Sequence, residues 1–399
     1  MKSWSKVAVQ RLYLQSNAAS YPSKKAYLCS LDKLPPDLQE RFVPLHCDED
    51  GRRFVEACQD RMSSLDWRDS FLVTGLLNLF CSVTDTNALL GRGQMHVLST
   101  QQLAQLLDLP IAFDTLLLDD EEGAPSSWPS SSLSPATSAS SSSSSQHHSR
   151  AMRLLEVGAG DGNVTRKFVP LLGGPHNIVC TEVSKGMANR LRDSGFACVE
   201  CSDLSPSVIR TAFSLLNNHS TSPPLGLDNA TTETEHATPC DSPTQTGYDG
   251  PFFDVVSCLN VLDRCDKPKT LLRQMKDALR PGSGRLLLAI VLPFHPFVED
   301  GPSWSQKQPS EQLLPSNLCN LRCCFDWEAT VEGLVKDVFA PMGLKLEKWA
   351  RVPYLCCGMD GKRGLPYLSL DDVIFVLSRG EEEEEEKDEE GRKGWNEMK

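Results

Sequence analysis

A glycine-rich turn is the part of the sequence most able to do chemistry. Gly158, Gly160 and Gly162 follow the apolar run Arg153 to Val157, which has the pattern of a buried strand, and precede a helical pattern. Glycines there let backbone N–H groups approach a ligand closely. A dinucleotide site prefers the spacing GxGxxG. Here the third glycine comes one residue early and Glu156 precedes the first. This favours S-adenosyl-L-methionine, a zwitterion without phosphate, over the alternative of a purely structural turn.

Two more carboxylates stand where a nucleoside could bind. Glu182 directly follows the next predicted strand, Ile178 to Thr181, and a carboxylate there can accept hydrogen bonds from both ribose hydroxyls. Asp203 lies just past the third predicted strand, Ala197 to Cys201, where it can accept the adenine amino group. Alone, each acid would more often be a solvated strand end. Together with Glu156, they place acids at the ends of three consecutive strands and strengthen the prediction of this cofactor.

Polar side chains also follow the fourth predicted strand, Phe253 to Leu259. Asn260 and Asp263 come directly after it, at the carboxyl edge where open α/β sheets bind ligands. Methyl transfer needs a nucleophile held in line with the sulfonium, and polar acceptors can orient a substrate for it. The alternative for Asp263 is the N-cap of the following helix.

The elements that must position these residues alternate between strand and helix. This alternation predicts a Rossmann-like, doubly wound α/β sheet. The last two strands have no helix between them, which is typical of the seven-stranded methyltransferase sheet. The remaining predicted strands are Leu286 to Leu292, Leu344 to Arg351 and Asp372 to Leu377, and the predicted helices are Val164 to Leu172, Met187 to Ser194, Lys269 to Leu279 and Thr330 to Phe339.

Composition divides the chain into ordered and low-complexity parts. In residues 36–118, Leu65 to Val83 and Thr100 to Leu107 have helical spacing, which predicts a helical cap on the catalytic domain. Low-complexity segments bury too little apolar surface to offset their ordering entropy, so we predict that they are disordered. The predicted organisation is an N-terminal segment 1–35, the helical cap 36–118, a Ser/Pro-rich insertion 119–149, a methyltransferase domain 150–379 with a second insertion 217–247, and an acidic tail 380–399.

Charge and cysteine usage exclude several classes of function. The formal net charge of -13 argues against a general nucleic-acid binder, although residues 380–399 alone carry ten acids against four bases. The 15 cysteines are odd in number and several lie in apolar runs, as reduced buried thiols do. We predict no metal site, because no set of four ligands is apparent. The longest uncharged apolar stretch, Phe71 to Val83, is too short to span a bilayer.

Five ordered motifs resemble the DREV family of methyltransferases. The resemblance covers about Ala26 to Leu377 outside the low-complexity blocks. It implies methylation of the pros nitrogen of histidine in His-x-His motifs of proteins, x being a small residue. It also implies that Glu182 and Asn260 hold the cofactor, and that Glu156, Asp263 and Tyr354 line the reacting end. The motifs are Leu89 to Gly93, Leu155 to Gly162, Ser257 to Asp266, Leu292 to Glu299 and Arg351 to Cys356.

Some positions depart from the family pattern and keep alternatives open. Glu156 stands where the family commonly has Asp, and Leu368 follows Tyr367 where the family usually has two tyrosines. The alternatives are a methyltransferase for a small molecule or another side chain, and a cofactor-binding scaffold without catalysis. The family's apolar N-terminal signal is missing, and the first 31 residues contain bases but no acids. We expect an intracellular location, with the endoplasmic reticulum or the mitochondrion as compartments that the resemblance allows.

Overall fold

The computed structural model describes residues 24–64, 82–90, 94–111, 151–219, 251–299, 306–314, 325–357 and 366–380. Within these ranges the α-helices are α1 (Pro36–Glu40), α2 (Glu49–Ser64), α3 (Val83–Leu90), α4 (Thr100–Leu107), α5 (Val169–Leu172), α6 (Lys185–Asp193), α7 (Pro206–His219), α8 (Pro268–Ala278) and α9 (Trp327–Gly333). The strands are β1 (Met95–His96), β2 (Leu154–Val157), β3 (Ile178–Glu182), β4 (Ala197–Glu200), β5 (Val255–Leu259), β6 (Arg285–Leu292), β7 (Val298–Glu299), β8 (Gln306–Lys307), β9 (Leu344–Cys357) and β10 (Tyr367–Arg379).

The main sheet has the strand order β1-β9-β10-β6-β5-β2-β3-β4. Strands β6, β5, β2, β3 and β4 run parallel, and β10 is antiparallel to both β6 and β9. The reversal at β10 follows from the short connection: nine residues separate β9 from β10, fewer than the roughly one dozen that a parallel crossover needs, so the two strands pair in an antiparallel manner. The predicted Rossmann-like α/β class is therefore confirmed.

The prediction of seven strands is wrong, because the main sheet has eight. The additional strand is β1, in which Met95 pairs with Cys356 and His96 with Leu355. It covers the outer edge of β9, which extends to Cys357, well past its predicted end at Arg351. Such an edge presents unpaired N–H and C=O groups that favour the addition of a strand. A strand of two residues is too short to show the alternating or apolar pattern that predicts a strand from sequence.

Several predicted helices are present at the expected positions, but most of their observed bounds differ from the predicted ones. Helix α4 has its predicted bounds, and Ser99 and Gln102 form a capping box at its start. Helix α7 was not predicted, and it extends into the segment 217–247 that we assigned to low complexity. The predicted helix Thr330 to Phe339 is divided between α9 and a π-helical turn. Most of the predicted helix Leu65 to Val83 lies outside the described residues. The shorter helical turns are 3₁₀ segments at Lys24–Tyr27, Leu31–Lys33, Thr165–Phe168, Pro175–Asn177 and Ala340–Met342, and the π-helical turn Leu334–Phe339.

Helices cover both faces of the sheet. Side chains of α7, α8 and α9 pack on one face, and those of α4, α5 and α6 pack on the other. Successive residues of β2 serve the two layers, since Leu155 faces the first and Leu154 the second. The N-terminal region also pairs with the sheet, because the N–H of Val43 donates to Trp349 O at 2.8 Å. The faces of the sheet are therefore covered. The polar residues predicted for the site lie at one edge of it, at the carboxyl ends of β2, β3 and β5.

Candidate active site

The three glycines after β2 have different structural tasks. All have positive φ, at 69° for Gly158, 60° for Gly160 and 81° for Gly162. A Cβ on Gly158 would lie 2.5 Å from Val261 Cγ2, and one on Gly162 would lie 2.9 Å from Leu191 Cδ2. A Cβ on Gly160 would meet no atom within 4 Å. Gly158 and Gly162 are therefore required by packing, whereas Gly160 borders open space that a ligand can fill.

Glu182 connects this loop to the end of β3. Its buried carboxylate accepts the N–H of Gly160 on Oε2 at 2.9 Å, and on Oε1 the N–H groups of Val183 at 2.9 Å and Ser184 at 3.0 Å. Oε2 thus keeps a further acceptor position, as a carboxylate oxygen offers two. The predicted cofactor acid fixes the loop and can still bind a ligand hydroxyl.

Asp203 is separate from the buried acids. It is exposed, and its Oδ1 accepts the N–H of Ser205 at 2.9 Å, just before α7. The turn adjoins Glu182 through Cys201, whose N–H donates to Glu182 O at 3.1 Å. Asp203 therefore lies past β4, next to Glu182 along the sheet edge, and its side chain closes a turn just before α7.

Glu156 is a buried carboxylate on β2. Its side chain is 2% exposed, and Oε2 has no hydrogen-bond partner among the described residues. Burial raises the pKa of Glu156 to about 7, and the neighbouring Thr165 hydroxyl opposes this shift. Near neutral pH this group is therefore close to half-charged, and one of its oxygens can accept a new hydrogen bond.

Asn260 and Asp263 follow β5 as predicted, and each has a buried oxygen without a partner in the described structure. Asn260 has φ +59°, an uncommon conformation for a residue other than glycine. In Asp263, Oδ2 pairs with Arg264 Nε at 3.3 Å and Oδ1 has no partner. The guanidinium of Arg264 lies over the Phe297 ring, 3.8 Å from its centroid. Burial raises the pKa of Asp263, although the Arg264 charge opposes this.

Tyr354, on β9, lies near Asp263. It is buried, and its hydroxyl donates to Met95 Sδ on β1, a weak acceptor. Burial raises the pKa of Tyr354 well above its ordinary value, and the nearby carboxylates of Asp372 and Asp263 raise it further. Tyr354 therefore lies within electrostatic range of Asp372 and Asp263, and Glu156 lies on β2 beside Thr165.

The sequence analysis missed Asp372 on β10. Asp372 is fully buried, its Oδ2 accepts Asn260 Nδ2 at 2.7 Å, and its Oδ1 has no partner among the residues described. Burial raises the pKa of Asp372 well above its ordinary value. A sequence signal existed, since two adjacent acids in a strand must point to opposite faces. Asp371 pairs with Arg351 Nε at 2.8 Å, and Asp372 is left facing the site.

Helix α3 contacts two sides of the same edge. Ser184, after β3, donates through Oγ to Asp85 Oδ1 at 2.7 Å, and Thr84 N donates to Glu299 Oε2 at 3.3 Å. With Met95 on Tyr354, the N-terminal region therefore contacts this edge both at the end of β3 and on β9. No pattern in the sequence predicted these contacts.

Three carboxylates at this edge, Glu156, Asp263 and Asp372, have a buried oxygen with no partner in the parts that the structure describes. A buried carboxylate is costly unless a cation or hydrogen-bond donor accompanies it. The arrangement therefore suits a cationic ligand that carries N–H donors, and the open space at Gly160 fits such a ligand. In the described ranges, no three His, Cys, Asp or Glu residues group as metal ligands, and no helix there has the length and apolarity to cross a membrane.

A protein-family model described as DREV methyltransferase matches residues 26–115, 137–230 and 244–379. These ranges contain the glycine loop, Glu182, Asp203, the residues after β5 and both closing strands.

Several solved structures of methyltransferases are similar to this chain at low identity. A TehB-like SAM-dependent methyltransferase from Corynebacterium glutamicum is 13% identical, with 58% of this chain and 81% of that chain covered and a TM-score of 0.28. The precorrin-6y C5,15-methyltransferase from Geobacter metallireducens is 12% identical, with coverage of 58% and 80% and a TM-score of 0.28. The N-terminal domain of EvdMO1 with SAH bound is 14% identical, with coverage of 58% and 75% and a TM-score of 0.27. The family match, and not these structures, carries the assignment.

Proposed function

The chain belongs to the DREV methyltransferase family and is an S-adenosyl-L-methionine-dependent methyltransferase, and we propose that it methylates the pros nitrogen of histidine in His-x-His motifs of proteins. The observation that carries the proposal is the buried Oδ1 of Asp263, an acceptor without a partner among the described residues, close to Tyr354.

The glycine loop and the acids around it fit the cofactor. When bound, S-adenosyl-L-methionine supplies a methyl group on a positively charged sulfonium sulfur. The open space at Gly160 and the free acceptor position on Glu182 can receive its amino-acid and ribose parts. Glu156 adds a buried negative charge that favours a cation over the neutral sulfur of the product. Asp203 and Asn260 complete the proposed cofactor set.

Histidine chemistry explains the proposed role of Asp263. A neutral imidazole has one N–H and one nitrogen with a free lone pair, and only the latter can attack a methyl group. Methylation of the pros nitrogen therefore requires that the proton sits on the other nitrogen. A carboxylate that accepts this N–H selects that tautomer and stabilises the imidazolium formed by the transfer. We assign this role to Asp263 Oδ1, because Arg264 already occupies Oδ2.

The surrounding side chains hold this acceptor in place. Arg264 fixes one carboxylate oxygen of Asp263, and the stack of Arg264 on Phe297 fixes the guanidinium in turn. The Phe297 N–H donates to Asp263 O at 2.9 Å, which ties the backbone to the segment after β6. The Tyr354 hydroxyl, which lies near Asp263, has only a weak hydrogen-bond partner in Met95 Sδ.

The test is the initial rate of methyl transfer to a His-Ala-His peptide, with the product compared with pros- and tele-methylhistidine standards. Wild-type protein should give the pros product. Asp263→Asn keeps the side-chain size and loses the charge, so the rate should fall by about 10² or more while cofactor affinity hardly changes. Asp266→Asn is the matched control, because that carboxylate accepts from Ser310 instead, and its rate should stay near that of wild type.

Other products would contradict the proposal in distinct ways. A tele-methylated peptide would place the acceptor on the wrong imidazole nitrogen. Transfer to small molecules in a metabolite extract, but not to the peptide, would indicate another substrate class. Cofactor binding without transfer to any acceptor would indicate a scaffold. Near-normal turnover of Asp263→Asn, or loss of its cofactor binding, would give Asp263 a different role.

A further inference from the structure

We propose that Asp372 is a positioning residue: its carboxylate holds the side-chain amide of Asn260 in one orientation, so that Asn260 Oδ1 accepts a hydrogen bond from the ammonium group of the cofactor. The inference deepens the proposed function and rests on its cofactor site. It concerns binding of the cofactor and not the identity of the methyl acceptor.

The hydrogen bond between the two side chains orients the amide. An amide presents a donor on one side and an acceptor on the other. Nδ2 of Asn260 donates to Asp372 Oδ2 at 2.7 Å, so Oδ1 points away from Asp372. A flipped amide would turn its oxygen toward the carboxylate and lose this bond. The orientation of Oδ1 is fixed as a consequence.

The backbone of Asn260 is fixed as well. Its φ of +59° lies in the left-handed region, which costs about 1–2 kcal/mol for most residues. Its N–H donates to Ala289 O on β6 at 3.1 Å. Strand β6 thus holds the main chain of Asn260, and β10 holds its side chain through Asp372. With both held, Oδ1 is still buried without a partner among the described residues, so a donor from a ligand completes it.

The position of Asn260 identifies the ligand group. The next residue, Val261, packs against Gly158 so closely that a Cβ there would lie 2.5 Å from Val261 Cγ2. Asn260 therefore adjoins the glycine loop that receives the cofactor. The hydrogen bond from Nδ2 to Asp372 polarises the amide, which strengthens Oδ1 as an acceptor for a cationic donor on the far side. An ammonium group, with three N–H donors and one positive charge, satisfies both conditions.

The experiment measures the affinity of full-length variants for S-adenosyl-L-methionine and for S-adenosyl-L-homocysteine by calorimetry, with thermal unfolding as the check on folding. Asp372→Val removes the acceptor and suits a strand. It should weaken the binding of both ligands about tenfold or more, since both carry the ammonium group and a charged hydrogen-bond network is lost. Asp372→Asn keeps an acceptor oxygen and should lose only about threefold.

Two comparisons separate positioning from a general structural effect. Asp371→Asn removes the adjacent charge on the other face of β10, where Asp371 pairs with Arg351, and it should leave both affinities unchanged. In an Asn260→Ala background, Asp372→Val should weaken binding no further, because the group that it orients is already missing.

Three results would overturn the proposal. One is wild-type affinity of folded Asp372→Val for both ligands. Another is a full additional loss of affinity when Asp372→Val is added to Asn260→Ala. The third applies if Asp372→Val does not fold. In that case Asp372→Asn is the test variant, and cofactor affinities equal to those of Asp371→Asn would overturn the proposal. Failure to methylate a His-Ala-His peptide would contradict the proposed substrate. The affinities for the two ligands can still be measured in that case, so the two proposals are tested independently.

Discussion

Replacement of Glu156 by glutamine tests the buried carboxylate on β2 through the stability of the protein. The folded-state pKa of about 7 lies above the ordinary value of 4.5, because burial disfavours the charged form. The folded state therefore binds more protons than the unfolded chain between these two pH values. As pH rises from about 4.5 to about 7, the carboxylate lowers the free energy of unfolding, and the loss levels off above the folded-state pKa.

The size of the effect follows from the same shift. Each pKa unit corresponds to about 1.4 kcal/mol, so ionised Glu156 costs the folded protein about 3 kcal/mol at pH 8 and less than about 1 kcal/mol at pH 5. Glutamine has a similar shape and no charge at either pH. Glu156→Gln should therefore be more stable than wild type by an amount that grows by about 2–3 kcal/mol between these two conditions.

The assay is urea unfolding of wild type and Glu156→Gln at pH 5 and pH 8, without cofactor. The difference between the two proteins isolates Glu156 from every other group that titrates in this range. The same variant should bind S-adenosyl-L-methionine more weakly, because a negative charge in the proposed cofactor site is gone. A stability difference that is the same at both pH values would refute the argument from burial.

The other predictions concern the cofactor loop and its charges. A cationic ligand lowers the pKa of Glu156 from about 7, so S-adenosyl-L-methionine should release protons on binding at pH 7 and bind more tightly at pH 8 than at pH 6. Calorimetry in two buffers of different ionisation enthalpy measures the release, and identical heats would contradict it. Gly160→Arg should fold but lose cofactor binding, because its side chain would fill the open space of the loop; unchanged affinity would show that the cofactor lies elsewhere. Gly158→Ala should instead lower the free energy of unfolding by about 1–3 kcal/mol, because its Cβ would meet Val261, and a wild-type urea midpoint would contradict this.

Local pattern was enough to determine the α/β alternation and the glycine turn. Buried parallel strands read as apolar runs, and their carboxyl ends lie at a common edge of the sheet. For this reason Glu182, Asn260 and Asp263 could be located without knowledge of any contact between them. Each is identified by its place directly after a strand, which is a property of neighbouring residues in the chain.

The tertiary structure decided what those residues touch. Asn260 and Asp372 are 112 residues apart in the chain, and Ser184 and Asp85 are 99 apart. No periodicity encodes a hydrogen bond over such distances. The same holds for β1, which pairs with β9 only because the fold leaves an edge there. Burial also depends on packing from all sides, so the raised pKa of Glu156 follows from the layers around β2 and not from the residues next to it.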